Sequence, residues 1–478
     1  MAAANTLNRS QIRGFIYREA SGGSSRGGDA AAFNARAIPD ARTRWAARKA
    51  MAGTSIMSAY NNLRFGVDHE EFVVNRPMSK MQFDTVHSGR SPWLWVRHPR
   101  WIFLIALILR LAVAGVFLAH NQLSWGVNEP AGIARAMVEG RGFSSAFHDA
   151  IGPTAWLAPA YPALLACIFR FVGTESTASA VVAILLNVVF SSLTAAVLVN
   201  LGREQFSETG GIIAGWAWAT APPLLFIPWL LWETCLSGLV LVFGFMTMLR
   251  LGEASRPREW AWSGAVWSFA GLLNPALLAP LAALAVDAGV HSRRWKGPAL
   301  MILVCVLGIL PWTARNYRAF GRTVPVRSNF WPEAYFGNVD FSLHPTGNTM
   351  LYQREGEISF DDDLKARTLQ FVQSSPRAFA RLTGERMMAF WMQPWQWQPY
   401  PLALFLMSVG GIVQVRRRRK RWAAFILVLV LYPVVYYITY TFARYRYPIE
   451  PLMYALAAFF VHDLLAGNRK SWPATEKA

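Results

Sequence analysis

The chain has 478 residues, 54% of them apolar and only 16% charged, with a formal net charge of +19. Such a balance excludes a string of ordinary soluble domains. It does not point to nucleic acid either, because the basic residues stand in short clusters between apolar runs, the pattern of loops on the cytoplasmic side of a membrane. Cys167, Cys235 and Cys305 lie within apolar stretches, so they are expected to be small core residues rather than a disulfide framework.

Residues 1–98 are rich in Gly, Ser, Ala and Arg and hold no apolar run of secretory length, so they are expected to form a disordered cytoplasmic arm. Arg76, Lys80, Arg90, Arg97 and Arg100 flank the start of the first span, about Trp101 to Ala119, and keep it inside. A polar outer loop, residues 120–156, follows. Pro159–Val172 contains Pro162 and Arg170 and is too short to cross a hydrocarbon layer of roughly 30 Å, so an interfacial or re-entrant helix is expected there. Further apolar runs at about 177–200, 211–228, 234–250, 259–273, 275–290 and 298–312 leave both Arg250/Arg256/Arg258 and Arg293/Arg294/Lys296 inside. Residues 99–312 thus form one membrane module.

Residues 313–399 are polar and read as a small extracytoplasmic insert, with one helix opened by acidic residues over 361–374 and a second over 376–391. Over 400–478 come spans at about 401–415, 422–440 and 448–465 and a short cytoplasmic tail, with the cationic run Arg416–Arg421 fixing the inner side. The expected fold is an all-α polytopic membrane protein of about ten transmembrane helices, with short interfacial helices in the first outer loop.

Charged residues expected on the outer side meet at one interface: Glu129, Glu233, Arg315 with Asn316, and Arg444 with Arg446. Charge at membrane depth is costly unless paired or facing water, so each is a functional candidate, set against the plainer reading of a solvated loop charge. Glu129 lies in SWGVNEPAGIARAMVEGRGF, where Asn128 suits an N-cap and Pro130 the first turn. The positive helix end favours its ionised form, which suits a base; the alternative is that Glu129 only helps to cap. Ile133 and Met137 share a face of this helix that is expected to rest on the bilayer.

Glu233, between IPWLLW and TCLSGLVLVF, is either protonated or faces a water-filled cavity where it meets substrate or an arginine. Arg444 and Arg446 alternate with Tyr445 and Tyr447 in FARYRYPIEP. A guanidinium matches phosphate with two parallel hydrogen bonds, so a lipid phosphate is the anion these residues would take, with Tyr445 beside them. Headgroup snorkelling with tyrosines as an aromatic belt is the alternative. Arg315 and Asn316 in PWTARNYRAFG are a similar case, in a Trp-Pro setting that argues for a fixed bend.

No phosphate-binding glycine-rich loop, His-Glu-x-x-His or cysteine pair at metal spacing competes. His148 and His344 are isolated outer histidines, and a divalent metal on His148, Asp149 and nearby acids stays open as an alternative. A transporter or flippase of lipid-linked sugars is the rival class, but no convincing internal repeat is found and the charges cluster outside rather than midway. A scaffold or polymerisation factor without chemistry ranks third.

In chain order, NEPAGIARAMVEGRGF with GPTAWLAPAYPALLACIFRFVG, then GLLNPALLAPLAAL, then PWTARNYRAFG leading to YFGN, and last ARYRYPIEP resemble the motifs of the GT-C class of integral-membrane glycosyltransferases. That class includes the protein O-mannosyltransferases and the lipid A aminoarabinose transferase. The resemblance covers about residues 101–465 and does not extend to the N-terminal arm.

The resemblance implies an inverting glycosyltransferase of the plasma (inner) membrane, with its active site on the extracytoplasmic face. It further implies a polyprenyl-phosphate sugar donor, no nucleotide-sugar domain, and a protein, lipid or glycan acceptor. Glu129 matches the acidic residue of the first outer loop that serves the class as catalytic base, where many members have Asp. Glu233 matches a second acid at the start of a later span, whereas Asn274 stands where members often carry Arg or Lys before the proline. Glu129 is then expected to take the proton of an acceptor hydroxyl as it attacks the anomeric carbon, while Arg444, Arg446 and Arg315 neutralise the departing phosphate.

Overall fold

The computed structural model describes residues 97–120, 125, 128–147, 152–340, 352, 356–392, 399–417 and 421–466. Almost all of the expected N-terminal arm, the C-terminal tail, and His148, Asp149 and His344 lie outside these. Among the described residues every regular element is a helix, and the one sheet-like pairing is a bridge between Ser144 and Pro153.

The helices are α1 (Pro99–His120), α2 (Glu129–Val138), α3 (Ala160–Val172), α4 (Thr177–Gln205), α5 (Glu208–Thr220), α6 (Pro222–Phe226), α7 (Thr234–Arg250), α8 (Pro257–Leu273) and α9 (Leu281–Ser292). They continue as α10 (Lys296–Phe320), α11 (Phe330–Tyr335), α12 (Glu357–Ser374), α13 (Pro376–Met392), α14 (Tyr400–Arg417), α15 (Trp422–Leu431), α16 (Val434–Ile438) and α17 (Glu450–Leu465).

Among the described residues, five segments are long and apolar enough to cross a membrane: α1, α4, Pro275–Ser292, α10 and Ala443–Leu465. The segment α5 with Pro222–Trp229, bent by 55°, is a sixth if taken as one span. This falls short of the expected ten, and the reason is local. Of the expected spans, Thr234–Arg250 and Trp422–Ile438 are apolar but shorter, and α5 and α15 both stop where proline removes a backbone donor, at Pro222–Pro223 and Pro433.

The break after α5 is stabilised from inside the bundle. Arg110 of α1, fully buried, donates to the carbonyls of Trp218 at 3.0 Å and Ala219 at 3.1 Å and to Ser191 Oγ at 2.9 Å. Those carbonyls belong to the last turn of α5, which has no helical partners to offer them, so the guanidinium satisfies a helix end without leaving the protein interior. Helices α4 and α5 also touch at Gly202 and Gly211, where a Cβ on either glycine would collide with the other backbone. Helix α17 runs through the middle of the core, with Glu450–Phe459 all buried.

Helix α7 separates two ends of the bundle by about 25 Å, given its 17 residues. At its C-terminal end Arg421 pairs with Asp287 at 2.5 Å and donates to the carbonyls of Met248 and Leu249, and Arg250 pairs with Glu204 at 2.5 Å. At its N-terminal end the outer loop and the insert pack on one another. Ile133, Phe143, Phe147, Trp156, Leu157, Tyr352, Phe360 and Leu364 form a second apolar core there, with Met137 against it. Ile133 and Met137 therefore pack into this second core, with Phe143, Phe147 and Trp156, rather than resting on the bilayer as expected.

Helix α12 starts four residues before the expected 361, directly after Gly356, whose φ of +80° is one that glycine adopts readily. Cys235 and Cys305 are buried as expected, but Cys167 is exposed on α3.

Candidate active site

The site begins with the cap of α2. Asn128 Oδ1 accepts from the Ala131 amide at 3.0 Å, and its Nδ2 donates to the Leu231 carbonyl at 3.2 Å. The first bond starts the helix with Glu129 in its first turn; the second ties that start to the segment two residues before Glu233. Two carboxylates about a hundred residues apart in sequence are thereby drawn to one cavity of about 260 Å³.

Four of the expected site residues line this cavity: Glu129, Glu233, Arg444 and Tyr445. So do Asn274, Arg327, Asn329 and Glu333, with aromatic walls that include Phe147, Tyr161, Trp232, Tyr436 and Tyr440. Asn274 Oδ1 accepts from the Ala276 amide at 3.1 Å, so its side chain shapes the turn before α9. Among the described residues none of Glu129, Glu233, Arg327 and Arg444 forms an ion pair.

Glu129 is enclosed by protein, and the surface it retains faces the cavity. Burial pushes its carboxyl up to about 7, and the nearby Glu333 adds to this; Arg444, Trp156 and Arg327 pull the other way. The helix end was expected to favour the ionised form, but an end effect is small beside the loss of water around a carboxylate. Trp156 Nε1 is buried without a hydrogen-bond partner at bonding distance, and Glu129 is the acceptor it approaches. Burial likewise raises Glu333, against the pull of Arg327.

Arg444 is held by aromatic faces: its guanidinium lies 3.9 Å from the Trp232 ring centroid and 5.2 Å from that of Tyr445. Tyr445 stacks on Tyr436 at 4.6 Å, and its carbonyl accepts from Tyr432 Oη at 2.9 Å. A cation fixed by its face keeps its N–H edge for an anion.

The other expected residues are placed elsewhere. Arg446 is buried and donates to Glu450 Oε1 at 2.8 Å and the Trp391 carbonyl at 2.7 Å, away from the cavity walls. Arg315 donates to the carbonyls of Thr154 at 2.6 Å and Phe143 at 2.5 Å and stacks on Trp312 at 4.9 Å. Asn316, fully buried, donates to the carbonyls of Val324 and Val326. Both fasten the end of α10, Arg315 to the outer loop and Asn316 to the chain beyond Gly321; the helix itself continues through Pro311 and Trp312 to Phe320.

Sequence reading misses Arg327 and Glu333. Glu333 sits in FWPEAYF, a carboxylate beside proline at a helix start among aromatics, which is close to the pattern that singles out Glu129. Among the described residues no group of three or more His, Cys, Asp or Glu is placed to hold a metal ion.

No family model and no curated protein matches the sequence. The fold is similar to that of the Archaeoglobus fulgidus oligosaccharyltransferase solved with Zn and sulfate, with 14% identity and a TM-score of 0.50, over 76% of this chain and 48% of that one. The apo form of that oligosaccharyltransferase gives 14% and 0.48 over 78% and 51%. ArnT from Cupriavidus metallidurans bound to undecaprenyl phosphate gives 12% and 0.36 over 79% of each chain. The chain thus spans about half the length of the oligosaccharyltransferase it matches. The likeness at a TM-score of 0.50 is one of fold, and it agrees with the GT-C type of fold expected from the order of the motifs.

Proposed function

We propose that the protein is an inverting glycosyltransferase that moves a sugar from a polyprenyl-phosphate carrier to an acceptor hydroxyl at the extracytoplasmic face of the plasma membrane. The observation that carries this reading is the cavity in which Glu129, with its carboxyl near 7, shares walls with Arg327 and Arg444. A base works best when its pKa is close to the working pH.

In the proposed step Glu129 accepts the acceptor's hydroxyl proton as that oxygen bonds to the anomeric carbon from the side opposite the phosphate. The bond from that carbon to the phosphate oxygen breaks, and the electron pair leaves with the phosphate. A phosphodiester carries one negative charge and the departing monoester up to two, so cations beside the leaving oxygen act where charge grows. Arg444 and Arg327 are assigned that role; Arg315 and Arg446, expected to share it, are engaged in holding the fold. Tyr445, Tyr436 and Trp232 provide faces for the sugar or the first isoprene units.

The outward orientation is supported by the basic residues Arg250 and Arg421 at the far end of α7, which suit the cytoplasmic side. The proposed acceptor is a protein, lipid or glycan. Incubating purified protein with radiolabelled polyprenyl-phosphate sugars tests the reading: it expects label on an acceptor. Label that only changes leaflet in vesicles makes the protein a flippase, and no movement of either kind ends both.

A further inference from the structure

Glu357, the first residue of α12, is buried, and its carboxylate gathers four donors: Thr154 Oγ1 at 2.5 Å, the Ala155 amide at 2.7 Å, Ser328 Oγ at 2.6 Å and Tyr352 Oη at 2.6 Å. These come from three separate segments of the chain. Thr154 and Ala155 precede Trp156, the indole that approaches Glu129; Ser328 lies between Arg327 and Asn329, both on the cavity wall. Ser328 is also held by a bond from its amide to the Ala155 carbonyl at 2.8 Å. A buried carboxylate is costly unless its oxygens are satisfied, and here the bonds that satisfy it fix the neighbours of Glu129.

We propose that Glu357 is a positioning residue through which the insert sets the environment of Glu129, by holding Trp156 and Arg327 against the cavity. It rests on the reading of Glu129 as the base. The charged and titratable groups facing Glu129 are Glu333 of α11, Arg327 ahead of it, Arg444 ahead of α17 and Tyr352 ahead of α12, with Glu233 on the same cavity. Two of the three groups that favour the ionised form, Trp156 and Arg327, are those next to residues that Glu357 binds.

A glutamine at 357 keeps the shape but sets an NH2 group against donors, so the two segments loosen. Loss of Trp156 and Arg327 from Glu129 raises its pKa, whereas removal of one negative charge by itself lowers it. The direction of the shift therefore separates positioning from simple electrostatics. A structural defect that admits water relieves the burial of Glu129 and lowers its midpoint, so a rise is not its signature.

The test is the pH midpoint of Glu129 in the full-length protein, wild type against Glu357→Gln. It is read from the pH–rate profile and, without turnover, from the infrared band of the protonated carboxyl that vanishes in Glu129→Gln. We expect the midpoint to rise by about one unit, Trp156→Phe to raise it too, and the double variant to rise less than the sum. A midpoint that stays or falls in Glu357→Gln overturns the proposal. If that variant does not fold, Ser328→Ala, which removes one donor beside Arg327, is read the same way. Should the wild type transfer no sugar, the proposed function fails while the infrared midpoint still decides the role of Glu357.

Discussion

The guanidinium of Arg444 lies over Trp232, 3.9 Å from its ring centroid, and so links the segment before α17 to the one before α7, beside Glu233. Lysine cannot reproduce either the stacked face or the planar donor edge. Arg444→Lys should therefore lower kcat/KM for a polyprenyl-phosphate sugar roughly ten- to hundredfold, the size of about 1.5–3 kcal/mol for a bond to a charged group. Trp232→Ala should show a smaller loss of the same kind. Steady-state kinetics on both variants, with melting temperatures unchanged for Arg444→Lys, checks this.

Burial favours the neutral Glu129 acid, so its contribution to stability is complete below the unfolded carboxyl's ordinary value near 4.5 and is lost as pH rises through about 7. Activity runs the other way, because the base must be ionised. Glu129→Gln should melt higher than wild type at pH 8 and equally at pH 4, while losing activity about 10²–10⁴-fold. Thermal melts at the two pH values read the first part directly.

Glu333 adds to the raised pKa of Glu129 from the wall of the same cavity. Glu333→Gln removes that repulsion and should move the acid limb of the pH–rate profile below about 7. Because the two acids share a site, the profile reports the pair rather than either residue. An acid limb that moves upward would show that Glu333 supports the ionised base instead.

Local patterns are legible in the sequence alone. The Asn-Glu-Pro start of α2, the cationic run before α15 and the order of the apolar runs rest on caps, charge and length, which a single chain of residues displays. What the sequence hides depends on pairing between distant segments. Arg444 and Arg446 are two residues apart and carry the same side chain, yet only one reaches the cavity, because Glu450 one turn later captures the other. Arg315 reads as an anion binder and instead holds the carbonyls of Phe143 and Thr154. Ile133 reads as a lipid contact because nothing in its own helix announces the apolar core, with Phe143, Phe147 and Trp156, that buries it.

That difference in role between the two arginines predicts a difference in phenotype. Arg446→Ala leaves Glu450 without its buried arginine and should destabilise the protein by about 3–5 kcal/mol, visible as poor yield and a lower melting temperature in detergent. Arg315→Ala should also lower the melting temperature and expose the outer loop to protease, through loss of two carbonyl bonds.

The most direct measurement is sugar transfer by purified wild-type and Glu129→Gln protein, compared at pH 8 with the same labelled carrier lipid. With Glu129 as the base, the wild type transfers sugar and the folded variant loses at least about a hundredfold. Transfer by Glu129→Gln at the wild-type rate would contradict it.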